Sequence, residues 1–350
     1  MNKTIKERQK ESETVVNKPL VSFCLFAYNQ ESYIREAVEG AFAQTYSPLE
    51  IILSDDCSAD RTFEIMKEMA AGYKGPHTVI LNRNEKNLGI GDHINKVVSL
   101  ASGLWLVMAA GDDISYPERV STCMRHIVHI PRAVAIVSRL DIIDPVPDCS
   151  LDKYYDYGYP SVTILEMSVQ KYPTIQVWGC VAVWHRQLFA KPLPLGLVCE
   201  DLFLGLRSFC SGQMVFIPER LVKYRLSAGL SGEIGRRLRD ATQSYADYLI
   251  WERQEKITVQ RALFALEHIY KEFYHLRYSN KPLFIFFAKR VHFLRYKVNG
   301  GGGHFLLCCI NAIGWRDVHL MRDLFRAFVA KSIGGRGRFY LKRMRTKEAR

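Results

Sequence analysis

Short apolar runs alternate with segments of helical periodicity along the first third of the chain, and polar loops separate them. Leu20–Ala27 (LVSFCLFA) is continuously apolar, the pattern of a strand buried on both faces of a parallel sheet. Glu31–Gln44 follows at helical spacing, with Ile34, Val38, Ala41 and Phe42 on one face. Leu49–Leu53 predicts a second strand, and Asp60 caps a helix carrying Phe63, Ile65, Met66 and Met69. Thr78–Leu81 reads as a third strand and Asp92–Ser102 as a third helix. Leu104–Ala109 reads as a fourth strand, ending at Gly111-Asp112-Asp113. This alternation predicts an α/β fold, a mostly parallel sheet with helices on both faces. Such sheets take their ligands at the carboxyl ends of the strands.

Beyond Asp113 the pattern loosens. Ala133–Arg139 predicts a further strand, and Pro145–Pro173 reads as an irregular insertion rich in Asp, Pro and Tyr. Thr174–Trp184, Glu200–Cys210 and Gln213–Arg225 form a second cluster of short elements. Residues 236–278 are helical in composition, and the tail from 281 to 350 is interrupted by the glycine run 300–303. No internal repeat is present.

The chain has 350 residues, 48% of them hydrophobic and 24% charged. That is enough for one core of roughly 220–280 residues with an appendage. Ordinary Gly and Pro content excludes collagen-like and low-complexity classes. The net charge of +12 is uneven: residues 281–350 hold 16 Lys and Arg against 3 Asp and Glu, leaving 32 basic and 33 acidic groups before them. A nearly neutral body therefore carries a basic tail, and the overall charge says nothing about the body's chemistry. Nine scattered cysteines without a CxxC pair point away from a zinc site or a disulfide framework, and toward reduced thiols in a cytoplasmic protein. Residues 1–18 are polar, so no signal peptide is expected, and no run approaches the ~18 uncharged apolar residues of a spanning helix.

Acidic pairs gather at the strand ends. Asp55-Asp56 follow the second strand and Asp112-Asp113 the fourth. Paired carboxylates at the mouth of an open α/β sheet suit a hard divalent cation with a bound diphosphate; they equally suit the capping of turns. No glycine-rich phosphate loop is present, so phosphate charge would be met by metal. A third pair, Glu200-Asp201, opens a helix, where carboxylates serve either as caps or as a general base on the acceptor side. Arg207 on the same helix either steadies that base, contacts phosphate or forms a structural ion pair. Trp178 and the Trp184-His185 pair either line an acceptor pocket or belong to the core.

Four segments in order carry a resemblance: AYNQESYIREAVEGAFAQTYSPLEIILSDDCSADRTFEI, NRNEKNLGIGDHIN, LWLVMAAGDDISYPERV and EDLFLGLRSFCSGQMVFIPERLVKYRLSAGLS. Together they resemble the family 2 glycosyltransferases over roughly residues 19–232. The resemblance implies a GT-A (Rossmann-like) fold, a nucleotide-diphosphate-sugar donor, a Mg²⁺ or Mn²⁺ ion and transfer with inversion at the anomeric carbon. It further implies that Tyr28 and Asp56 contact the nucleotide with Glu31 and Asp55 nearby, and that Asp113 ligates the metal. Asp112 would serve the ribose or the metal, and Asp201 would be the general base, with Glu200, Arg207 and Trp178 as accessory residues. Two positions depart from the family pattern: Ala110 stands at the first acidic place of the metal motif, and Ser227 stands where relatives carry His after Tyr224-Arg225.

The expected organisation is a polar segment 1–18, a catalytic domain 19–232 and a helical basic extension 233–350. Within the extension, 283–298 and 318–333 mix Phe and Leu with Lys and Arg, the character of helices lying in an anionic membrane interface. The expected function is an inverting glycosyltransferase acting at the cytoplasmic face of a membrane, on a glycan or lipid-linked acceptor and without nucleic acid. Two alternatives stand beside it: a catalytically silent sugar-nucleotide or polysaccharide-binding subunit, and a nucleotidyltransferase, which the missing Gly-rich basic loop disfavours.

Overall fold

The computed structural model describes residues 18–143, 161–165, 177–225, 260–261, 263–274 and 291. Nine strands among them form one sheet, in the order β3-β2-β1-β4-β8-β6-β9-β5, with β7 against β9. The strands are β1 (Val21–Ala27), β2 (Leu49–Asp55), β3 (Thr78–Arg83), β4 (Trp105–Ala110), β5 (Ile114–Ser115), β6 (Ala133–Ile142), β7 (Thr163–Leu165), β8 (Ala182–His185) and β9 (Gln213–Tyr224). The helices are α1 (Ile34–Phe42), α2 (Thr62–Gly72), α3 (Ile90–Leu100), α4 (Arg119–Ile127) and α5 (Glu200–Ser211). Strands β1 to β4 are mutually parallel. β8 opposes β4, and β6 and β9 return to the first direction, so six of the nine run one way.

The apolar run of β1 has its cause in this order. β2 and β4 flank it in parallel, and helices cover both faces, so nearly every side chain is buried. Successive residues point to opposite faces. Phe23 and Leu25 join α1, α2 and α4 in one core cluster, while Cys24 joins α3, α5 and β8 in the other. Each such fully buried Phe or Leu contributes roughly 1.5–3 kcal/mol. β3, at the sheet edge, is half-exposed throughout.

Helix boundaries follow local chemistry. The first helix begins at Ile34 rather than Glu31, because residues 28–33 form a loop tied to the one after β2. Asp60 does hold the next helix, its Oδ1 accepting the Thr62 N–H at 3.0 Å. The third helix starts at Ile90, two residues before the predicted Asp92, because Gly89 turns the chain with φ 76°. The insertion predicted as irregular contains β7; residues 145–160 and 166–173 of it lie outside the described residues.

Residues 263–272 are helical, and Ala265, Leu266 and Ile269 are buried in the same cluster as Phe203 and Leu204 of α5. This part of the expected extension therefore belongs to the core. Apart from Val291, the basic tail lies outside the described residues. No helix among the described residues is long and apolar enough to cross a membrane.

The sheet's two ends differ. At the amino-terminal end of β1 and β4, Glu50 accepts from Ser22 Oγ and from the Gly103 N–H (3.1 Å), and Arg186 Nε donates to the Gly103 carbonyl at 2.8 Å. His185 sits at this end, in register with Trp105 and edge-on to its ring, while Trp184 is core. Neither lines the opposite end, where the acidic pairs lie.

Candidate active site

Register brings the chain together at the carboxyl end. Ala27 pairs with Asp55 and Phe26 with Ala110, so Tyr28, Asp56 and Gly111 leave the sheet at nearly one level. The approach at Gly111 is close: a Cβ there would lie 2.5 Å from Gln30 Oε1 and 3.0 Å from Ile34 Cδ1, so the Gln30 side chain would have to shift. β4 thus delivers Asp112-Asp113 directly beside the loop that follows β1.

Asp113 is 5% exposed. Its Oδ1 accepts the Arg225 N–H at 2.9 Å, while its Oδ2 is buried with no hydrogen-bond partner. Burial pushes its carboxyl up to about 8, and the neighbouring Asp112 pushes the same way. Burial also raises Asp112, against the pull of Arg225 and Gln30. Among the described residues neither of these adjacent carboxyls, Asp113 buried and Asp112 half-buried, has an ion-pair partner in contact, and the charges of Arg119 and Arg225 only partly offset their burial. That donor set fits a hard divalent cation, whose remaining positions would be filled by diphosphate oxygens and water. Ala110, the departure from the family motif, is the last residue of β4 and adds no oxygen.

Residues unnoticed in the sequence buttress this pair. The fully buried guanidinium of Arg119 donates to Ser115 Oγ (2.9 Å) and to the Met108 carbonyl (2.8 Å), and its charge favours the ionised form of Asp113. The Cys180 thiol adjoins Asp113 closely enough that each alters the other's proton affinity. Arg225 adds an Nε–H bond to the Asp112 carbonyl at 3.1 Å, pairs with Glu36 and lies over the Tyr33 ring. Only the PER sequence after the acidic motif could have pointed to Arg119.

The Asp55-Asp56 pair has a different character. Asp55 is fully buried, accepts from the Ser58 hydroxyl and N–H, and pairs with Arg83 at 3.4 Å. It builds the β2–α2 loop and has no face toward a ligand. Asp56 accepts from Asn84 Nδ2 (2.8 Å) and the N–H groups of Leu88 (2.9 Å) and Gly89 (3.0 Å). Glu31 accepts the Arg61 N–H at 3.0 Å, another loop tie. Tyr28 is 47% exposed, an aromatic face at the cleft edge.

The third pair stands across a single turn from the second. Residues Gly179–Val181 form a short 3₁₀ turn entering β8. A Cβ on Gly179 would sit 3.3 Å from Glu200 Oε1 and 3.9 Å from Asp201 Cβ, while the next residue is Cys180, beside Asp113. Glycine thus lets the carboxylates of α5 approach the turn that borders the metal-type pair. Burial pushes Asp201 up to about 6 and Glu200 to about 8, the latter also through the charge of Asp201. The two carboxyls interact, so their protons belong to the pair, and both proton affinities lie above the ordinary carboxylate range, the range in which a carboxylate can take a proton near neutral pH. The local cap is modest, one bond from the Leu202 N–H to Asp201 Oδ1 at 2.7 Å.

Arg207 and Trp178 are not part of that arrangement in the same sense. Arg207 is 3% exposed and donates to the Leu188 and Lys191 carbonyls and to Glu272 Oε2 at 2.6 Å, with its guanidinium over the Phe203 ring. It is the structural ion pair of the sequence alternatives. Trp178 packs against the core with its ring 6.4 Å from Tyr224. Ser227 lies outside the described residues.

Residues 22–191 match the family described as Glycosyl transferase family 2. A chondroitin synthase of Escherichia coli is 36% identical over 119 residues, 34% of this chain and 17% of that protein. Glycosyltransferase GlyA of Streptococcus pneumoniae is 24% identical over 243 residues, 66% of this chain and 33% of that one. An uncharacterized protein of Mycobacterium tuberculosis is 29% identical over 212 residues, and the match spans 59% of each chain. The chain therefore covers less than two thirds of these relatives' own length. The crystal structure of S. aureus TarS 1–349 in complex with UDP-GlcNAc aligns with 89% of this chain and 92% of its own. The TM-score is 0.52 and the identity 14%, a likeness of fold. Segment 22–191 of this chain belongs to glycosyl transferase family 2, on a sheet of the GT-A type.

Proposed function

We propose that the protein is an inverting glycosyltransferase that moves a sugar from a nucleotide diphosphate to a hydroxyl of a cell-surface glycan or glycolipid. The observation that carries this reading is the pairing of two carboxylate sets, Asp113 buried and Asp112, Glu200 and Asp201 half-buried, across the Gly179–Val181 turn. One set has no ion-pair partner in contact among the described residues, and the other is a coupled pair whose proton affinities are raised above the ordinary carboxylate range. An inverting transfer needs both: charge neutralisation on the leaving diphosphate, and proton removal from the incoming hydroxyl on the opposite face of the sugar.

Asp113 and Asp112 would hold Mg²⁺ or Mn²⁺, which when bound supplies a Lewis acid for the diphosphate. Asp201 takes the acceptor proton, and Glu200 beside it is coupled to its titration. Tyr28 offers a stacking face to the nucleotide and Asp56 an acceptor. Arg119 and Arg225 hold the acidic loop in place. The names of relatives such as chondroitin synthase support a polysaccharide or glycolipid setting. The basic, Phe-rich tail supports attachment to an anionic membrane surface where a lipid-linked acceptor would lie.

The test incubates the full chain with UDP- and GDP-sugars, Mg²⁺ or Mn²⁺, and polyprenyl-phosphate or oligosaccharide acceptors. Metal-dependent release of the nucleoside diphosphate and an inverted anomeric configuration in the product are expected. A chain that binds no nucleotide diphosphate with either metal would overturn the reading.

A further inference from the structure

Asp56 is held by more than its own loop. From its Oδ1, Asn84 Nδ2 leads at 2.8 Å to a second amide contact, Asn82 Nδ2 to Asn84 Oδ1 at 3.1 Å. Asn82 Nδ2 also donates to Ser54 Oγ at 2.9 Å, and Ser54 Oγ lies 2.6 Å from His93 Nε2. The backbone N–H of His93 donates to the Gly89 carbonyl at 2.9 Å, and the Gly89 N–H returns to Asp56 Oδ2 at 3.0 Å. The bonds close a ring through β2, β3 and the first turn of α3. Ser54 is fully buried, and His93, at 2% exposure, stands edge-on to Phe26.

We propose that this hydrogen-bonded ring, with Ser54 and His93 at its buried end, is the device that positions Asp56 toward the nucleotide. The inference rests on the reading of Asp56 as a nucleotide contact. Its logic is an acceptor count. An ionised carboxylate offers about four acceptor positions, and Asn84, Leu88 and Gly89 fill three of them. One position on Oδ2 remains for a ligand, and its direction is set by whatever stops the carboxylate from rotating. Asn84 and Gly89 do so from the two sides, and the ring fastens each to the same buried hydroxyl and imidazole.

The polarity of the bonds is consistent around the ring. Asn82 spends both amide hydrogens, on Ser54 and on Asn84. The Ser54 hydroxyl then either gives its O–H proton to His93 Nε2 or accepts from it with its second lone pair, according to the imidazole tautomer, and burial lowers the pKa of that imidazole against the pull of Asp56 and Asp55. Every link therefore has a donor and an acceptor, the condition under which a buried polar network fixes one geometry. Ser54 and His93 are positioning residues, since neither touches the ligand.

Ser54→Ala removes the hydroxyl shared by His93 and Asn82 with little change of volume. Hydrogen exchange at the Leu88 and Gly89 amides should quicken, and affinity for UDP or GDP in the presence of Mn²⁺, measured by calorimetry, should fall roughly tenfold, the scale of one misplaced hydrogen bond. Affinity for Mn²⁺ alone should stay unchanged. Asn82→Ala, on the half-exposed edge strand, should do the same. Ser54→Thr, which keeps the hydroxyl, should restore both readouts, and Ser138→Ala, another buried serine outside the ring, should alter neither. Unchanged exchange at Leu88 and Gly89 in both Ser54→Ala and Asn82→Ala would overturn the inference, whatever binds. If the intact chain binds neither UDP nor GDP, the transferase reading falls while the exchange rates still decide the ring.

Discussion

Replacing Asp113 by Asn in the metal-free protein should shift the balance of stability toward the variant as pH rises, and the size of the shift follows from the site. The carboxyl rises from an ordinary 3.8 to about 8 in the folded chain, through burial and then the Asp112 charge. Between those two values the folded state binds a proton that the unfolded state has released. The stabilising contribution of the neutral form is thus complete below pH ~4 and lost as pH rises to ~8. At ~1.4 kcal/mol per pH unit, the span from pH 5 to pH 8 amounts to roughly 4 kcal/mol. Asn does not titrate, so the difference in unfolding free energy between variant and parent should move toward the variant by about that amount over this span. The fixed penalties of Asn, a weaker bond from the Arg225 N–H and an unsatisfied amide donor where Oδ2 was bare, cancel in the comparison of the two pH values. Urea unfolding followed by tryptophan fluorescence in a chelator, at pH 5 and pH 8, measures it. A difference that is the same at both pH values would refute the claim that burial and the Asp112 charge raise the proton affinity of Asp113 in the metal-free fold. Mn²⁺ at pH 8 should stabilise the parent by mass action and leave the variant unmoved.

Asp201→Asn should keep donor affinity and lose transfer by roughly 10²–10⁴-fold; near-normal turnover with a normal KM would make Asp201 a helix cap only. Arg207→Met should leave the half-buried Glu272 and the Leu188 and Lys191 carbonyls without their donor and cost roughly 2–4 kcal/mol in urea unfolding, with nucleotide affinity intact; a loss of affinity at full stability would instead return Arg207 to the phosphate-binding role. The full chain should float with anionic vesicles at low salt, detach as salt rises, and fail to float when truncated near Lys281; a full chain that stays in the soluble fraction would withdraw the membrane role of the tail.

The parallel half of the sheet could be read from the sequence because burial on two faces leaves a recognisable mark: LVSFCLFA and LWLVMA have no polar alternation to confuse with anything else. The acidic pairs were readable as residues at strand ends, but their roles were not. Asp55-Asp56 and Asp112-Asp113 are the same dipeptide in the same topological place. What separates them is that Ser58 and Arg83 satisfy Asp55, whereas among the described residues Asp113 has no ion pair in contact and its Oδ2 meets no N–H or O–H donor. Arg207 was ambiguous for the same reason, since its partner Glu272 is 65 residues away in sequence. Arg119 and His93 went unnoticed because a lone charged or aromatic residue on an amphipathic helix looks ordinary until the helix face is known. β7 was hidden by its surroundings, three residues within a stretch rich in Asp, Pro and Tyr.

The bond from the Arg225 N–H to Asp113 bears on how the protein can be cut. The family match stops at residue 191, yet β9, which joins β5, β6 and β7, spans Gln213–Tyr224, and Glu200 and Asp201 also come later. A fragment trimmed to the matched segment would lose the base and leave three strands unpaired along one side. Even a fragment ending at Tyr224 would keep the sheet but strip the backbone donor from Oδ1 of a buried carboxylate, leaving it only the weak thiol of Cys180. The shortest piece able to report on the chemistry therefore runs past Arg225, and it needs residues 263–272 to cover α5 and to neutralise Arg207.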